Sequence, residues 1–145
     1  MAAELPLPRV AVPTTSKDVS ILRLYLLRTA YALNFVGLAV MVWPAIINHK
    51  IPWDPFHGVA FSFWAALSLL AGLGIRYPLR MLPVLFMQLT YKSIWMMGVM
   101  LPTWSAGRSI PMVKDMLIGA IVDLIVIPWP YVLNTYIRSR GDRWV

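Results

Sequence analysis

Charge is scarce in this chain. Only 13% of its residues are Asp, Glu, Lys or Arg, about half of the ~25% usual in a soluble domain. A water-soluble protein of 145 residues needs polar groups over the surface it leaves exposed, and here they are missing. Cysteine is absent as well, which removes disulfides, thiol catalysis, Cys-bound zinc and iron–sulfur clusters together. The first 20 residues hold no apolar stretch of the kind a signal peptide needs. No Gly-x-Ser-x-Gly elbow occurs, and no fixed-period repeat is convincing.

What the chain does have is hydrocarbon. Hydrophobic residues make up 59% of it and the mean hydropathy is +0.68. Four long apolar runs fall at about 21–47, 56–75, 81–101 and 112–136. Each is close to or above the ~20 residues that a helix needs to cross ~30 Å of hydrocarbon, and none alternates as a membrane strand would. The expected fold is therefore all-α, an integral membrane four-helix bundle. An arm over 1–20 precedes the transmembrane domain at 21–137, and a tail over 138–145 follows it. Short links make sequence neighbours antiparallel, in up-down order.

The net charge of +7 would raise nucleic acid as a partner in a soluble protein. Here the cations sit at the ends of apolar runs, where they set orientation and meet anionic lipid, so nucleic acid is set aside. Arg9, Lys17, Arg23, Arg28, Arg76, Arg80, Arg138, Arg140 and Arg143 fall on one side. Lys50, Arg108 and Lys114 fall on the other. The positive-inside rule then places both termini in the cytoplasm. Trp43, Trp53 and Trp104 fall at the outer boundary, with Tyr25, Tyr77, Trp129, Tyr131 and Tyr136 near the inner one, as an interfacial belt requires. Compactness points to a bacterial inner membrane as the location. Arg28, Arg76 and Arg80 are candidates to grip a lipid headgroup.

Two charges fall inside the spans at matching depth. Lys92 lies about nine residues from the outer end of the third run, and Asp123 about eleven into the fourth, so both are ~14–16 Å deep. An isolated charge there is expensive, so the two should face each other. As a clamp they fix the third helix against the fourth; as chemistry they form a proton relay, an ion path or a ligand counter-charge, or serve as an acid–base pair. Gln88, Tyr91, Lys92 and Trp95 recur at helical spacing, with Asp115, Gly119, Asp123, Pro130 and Asn134 following a line on the fourth run and Tyr31 and Asn34 at mid-depth on the first. If these converge, Asn34, Gln88, Tyr91, Lys92, Trp95 and Asp123 line one polar pocket.

Gly58, Ser62 and Ala66 form a small-residue stripe on the second run, suited to close packing inside the bundle or against another subunit. His49, Asp54 and His57 bracket the first outer loop without a zinc spacing, and no metal or cofactor is assigned. With such short loops, the function expected first is non-enzymatic: an accessory subunit or a binder of lipid or another hydrophobic ligand. Its partners would be membrane lipid and a membrane protein or second copy. The alternative is a membrane-embedded enzyme or proton-coupled carrier that uses Lys92 and Asp123.

Overall fold

The structure is a computed structural model and describes residues 19–49 and 53–138. The arm through residue 18, the 50–52 link and the tail from 139 lie outside the described residues, and with them Arg9, Lys17, Lys50, Arg140 and Arg143 of the charge count.

Among the described residues the only regular structure is helical. Helix α1 is Ile21–Asn48, capped by the Ser20 hydroxyl on the Arg23 amide, and it carries Pro44 in its interior. Helix α2 is Pro55–Arg76, where Asp54 caps the first turn and Pro55 occupies the position at which a missing N–H costs nothing. A turn over residues 77–81 leads to α3, Leu82–Ser105. Helix α4 is Val113–Val126 and α5 is Trp129–Arg138. Helices α1, α2 and α3 are each long and apolar enough to cross a membrane; a fourth crossing exists if α4 and α5 make one bent span.

Helix α3 runs past the expected end at 101 because its fourth turn is wide. Met96–Met100 is π-helical, and the Leu101 amide donates to the Met96 carbonyl. Pro102 follows at once. It lacks an N–H and would crowd the carbonyl four residues back in a regular α-turn. The wider turn relieves that crowding, and the helix continues to Ser105.

The fourth run is not one helix. It breaks after Val126, and α4 and α5 meet at 69°. Ile127 is extended, with ψ of 124°, as a residue before proline prefers. Pro128 and Pro130 withhold two amides from the ladder, and the helix stops ahead of Pro128, while Pro130 falls in the first turn of α5, where a missing N–H is tolerated.

Helix α1 lies along α2 in the most extended of the helix contacts, and α3 lies against α4; α1–α4 and α2–α3 contacts are smaller. The α1–α2 contact is close because glycine permits it. A Cβ on Gly74 would overlap the Tyr31 ring, and one on Gly72 would lie 3.2 Å from the Phe35 ring. Ser68 adds a hydroxyl 3.5 Å from the Phe35 carbonyl. The small stripe expected to do this packing faces outward instead. Ser62 and Ala66 are exposed, and Gly58 has nothing within 4 Å of where its Cβ would be. The stripe of close approach is shifted one face round, to Ser68, Ala71, Gly72 and Gly74.

The core is gathered at one end of the molecule. Leu27, Ala30, Tyr31, Ala71, Leu82, Leu85, Val126, Ile127 and Val132 form a single buried cluster, at the end where α2 turns into α3. Leu67 and Val42 are buried outside this cluster, but many large apolar side chains elsewhere face outward: Val40 and Val59 are each 71% exposed, and Ile94 is 62%. Surface of that kind needs hydrocarbon beside it, as the long apolar helices also require.

Candidate functional site

Lys92 and Asp123 meet. The Lys92 ammonium donates to Asp123 Oδ2 at 2.6 Å, and the residues are 6% and 1% exposed. Lys92 comes from the middle of α3, and Asp123 from the last turn of α4, just before the break. A second ammonium proton reaches Gln88 Oε1 at 3.4 Å, one turn earlier on α3. Gln88 is 1% exposed, and its Nε2 is buried without a partner among the described residues. Gly119 makes the geometry possible. A Cβ there would stand 2.9 Å from Lys92 Nζ, so the absence of a side chain leaves room for the lysine to cross to Asp123.

Asn34 joins this group from α1. With Lys92, Asp123, Ala30, Leu33, Gly119 and Val122 it lines a pocket of about 180 Å³. Asn34 Nδ2 donates to the Ala30 carbonyl at 2.9 Å. The pocket opens outward between α1 and α4, where Leu33 is 66% exposed and Val122 36%.

The single polar pocket expected from helical spacing divides in two. Asn34, Lys92 and Asp123 line one part, with Gln88 hydrogen-bonded behind it. Tyr91 and Trp95 line another, an apolar groove of about 580 Å³ together with Phe56, Val59, Ala60, Phe63, Trp64, Met112 and Met116. The Tyr91 ring meets Phe63 edge-on, with centroids 6.1 Å apart. The cause is angular: Tyr91 and Lys92 are sequence neighbours, about 100° apart around the helix. One turns toward α2 and the other toward α4. The polar line expected on the fourth run also ends at the break. Asp115 is exposed, and Asn134, beyond the break, accepts from Arg138 at 3.3 Å.

Arg76 and Arg80 both lie against the Tyr77 ring, 5.6 and 6.0 Å from its centroid. Arg28 lies instead against its own neighbour Tyr25, at 5.9 Å. All three are exposed. Tyr31 is fully buried, and its hydroxyl donates to the Pro78 carbonyl at 3.2 Å, which ties α1 to the α2–α3 turn.

In the first outer loop, Asp54 Oδ1 accepts from the amides of Phe56 and His57 at 2.8 and 2.9 Å, and the His57 ring contacts Oδ2. The His57 backbone amide is the largest influence holding this carboxyl below the usual carboxylate range, with the His57 side chain second. His49 turns to the Ile47 carbonyl. Among the described residues, no three His, Asp or Glu side chains gather as metal ligands would.

Sequence reasoning overlooked Arg23 beyond its charge. Its Nη2 donates to the carbonyls of Ile125 at 3.1 Å and Ile127 at 2.8 Å, across from α1 to the broken end of α4. Trp129 Nε1 serves the Leu124 carbonyl at 2.8 Å. The Leu124 and Ile125 carbonyls lack their usual helical donors, because Pro128 has no N–H and the Trp129 amide turns to the Ile127 carbonyl, which takes the Arg23 bond as a second one. The signal was present: two prolines ending an apolar helix, and an arginine set inside another.

Compared with known proteins, the chain matches no family model, no curated protein and no solved structure.

Proposed function

We propose that the chain is a non-enzymatic membrane protein that binds a lipid or another hydrophobic ligand, with Lys92 and Asp123 as the clamp holding α3 to α4. The observation that carries this is the apolar groove of about 580 Å³ between α2, α3 and the start of α4. It falls in the range of ligand sites, ~300–1,000 Å³, and its wall is aromatic and methionine-rich with one phenol. It lies away from the core, at the end of the molecule with fewer buried side chains. In this account the molecule is a four-span up-down bundle with α4 and α5 as one broken crossing. Helix α4 has 14 residues, which rise only ~21 Å, short of the ~30 Å hydrocarbon layer. We take both termini as cytoplasmic from the distribution of Lys and Arg, and a bacterial inner membrane as the setting. Arg28, Arg76 and Arg80 then lie at the inner headgroup level as lipid contacts. A membrane protein partner or a second copy fits the outward-facing Gly58, Ser62 and Ala66 stripe.

The clamp reading rests on geometry. Lys92 spends two of its three protons on Asp123 and Gln88, and both charges are sequestered at the helix contact. A photoactivatable palmitic acid, incorporated with the protein in nanodiscs, tests the groove. Cross-links are expected to concentrate on Trp64, Trp95, Met112 and Met116 and to fall severalfold in Ala60→Trp, which fills the groove from α2. Labelling spread evenly over outward residues such as Val40, Leu69 and Ile94, unchanged by Ala60→Trp, would contradict it.

A further inference from the structure

The second pocket differs in kind from the apolar groove. Two of its lining groups are charged and more than nine-tenths buried: Lys92 is 6% exposed and Asp123 1%. Their mutual contact does not exhaust them. Lys92 carries three ammonium protons, of which Asp123 and Gln88 take two. Asp123 Oδ1 accepts from no donor among the described residues; the lysine is on Oδ2. Asn34 gives one amide proton to Ala30 and keeps a second proton and its oxygen. One ammonium proton, one amide proton and two acceptor oxygens therefore belong to the residues of one pocket.

The mouth limits what can enter. It is framed by Leu33 and Val122, both outward-facing apolar residues, at the depth of the ion pair, roughly mid-span for a membrane helix. A phospholipid headgroup would have to leave the interface to reach it, at the cost of carrying charge into hydrocarbon. A fatty-acid carboxylate would meet Asp123. The ligand is neutral at its polar end and apolar behind it. A hydroxyl uses the free groups best, since it donates to Asp123 Oδ1 and accepts from Lys92, whereas a carbonyl would leave the carboxylate oxygen without a proton. The pocket volume of about 180 Å³ exceeds the ~150 Å³ of an apolar cavity that takes benzene, so one six-membered ring fits.

We infer that the pocket between α1 and α4 binds, from the bilayer, a neutral amphiphile whose hydroxyl-bearing six-membered ring sits against Asn34, Lys92 and Asp123 and whose hydrocarbon tail leaves past Leu33 and Val122. This rests on the ligand-binding function proposed above and adds a separate site with its own chemistry.

Two radiolabelled probes test it, 4-nonylphenol and nonylbenzene, measured as saturable binding to the full chain in nanodiscs over empty nanodiscs. The phenol is expected to bind about tenfold or more tighter than the hydrocarbon, as a hydrogen bond to a charged group implies. Asn34→Leu, which removes an amide, and Val122→Trp, which closes the mouth from the lipid side, should each weaken the phenol about tenfold or abolish its binding. Neither substitution replaces a member of the ion pair. Equal binding of the two probes, lost in Ala60→Trp but not in Val122→Trp, overturns this inference and leaves the apolar-groove function standing. Saturable binding of neither probe overturns both.

Discussion

Tyr31 shows how one residue holds the α1–α2 pair. It is fully buried, its hydroxyl is bonded to the Pro78 carbonyl, and its ring occupies the space where a Gly74 side chain would be. Gly74→Ala forces a methyl into that ring, and overpacking of a filled contact costs ~1–3 kcal/mol. Gly58→Ala, with nothing within 4 Å of the added carbon, should cost nothing and gain up to ~1 kcal/mol from helix propensity. Denaturant unfolding in micelles, followed by tryptophan fluorescence, separates the two. At this scale the sequence was legible where a residue type is costly in hydrocarbon. A lysine and an aspartate at equal depth leave few arrangements, and they do meet. It was not legible where several residues of one type compete. Two small-residue sets follow one another along α2, Gly58 to Ala66 and Ser68 to Gly74, and the rings of Tyr31 and Phe35 make the close packing fall on the second. Tyr91 likewise carries no mark that would send it to the groove side.

At the scale of elements, irregular turns direct the helices. The π-turn carries α3 through Pro102, and the Pro128 break turns α5 away from α4. Helix existence was readable from apolar length, and so were three of the four runs, to within a few residues. The break was not read, although both prolines were in view, because proline is tolerated inside membrane helices when neighbours satisfy the freed carbonyls. Pro44 lies within α1 without breaking it. What differs at Pro128 is a second proline two residues on and a donor ready for the open end. Arg23 is that donor, and Arg23→Ala should cost ~1.5–3 kcal/mol for hydrogen bonds from a charged group. Hydrogen exchange should rise at the amides of Ile127, Trp129 and Val132, which bond around the break. Unchanged exchange there would mean that Arg23 does not hold the turn.

Across the whole molecule, burial and openness are separated. The apolar cluster lies where α2 turns into α3, with the close of α4 and the start of α5 packed on it. The larger cleft lies toward the other end, lined from Phe56 at the start of α2 and from Met112 and Met116 at the start of α4. A molecule closed at one end and grooved at the other suits a ligand that enters from lipid. That the chain holds helices long and apolar enough to cross a membrane was legible in composition, while the division into closed and open ends required knowing which side chains meet. Between the two ends stands the Lys92–Asp123 pair, and the account depends on its being a clamp. The direct measurement is unfolding stability in micelles of Lys92→Asp, Asp123→Lys and the double exchange. Each single change leaves like charges buried together and should cost ~3–5 kcal/mol or prevent folding; the double exchange should restore most of that loss. If the single changes leave stability intact, or the double exchange is no better than either one, then the pair does not hold α3 to α4.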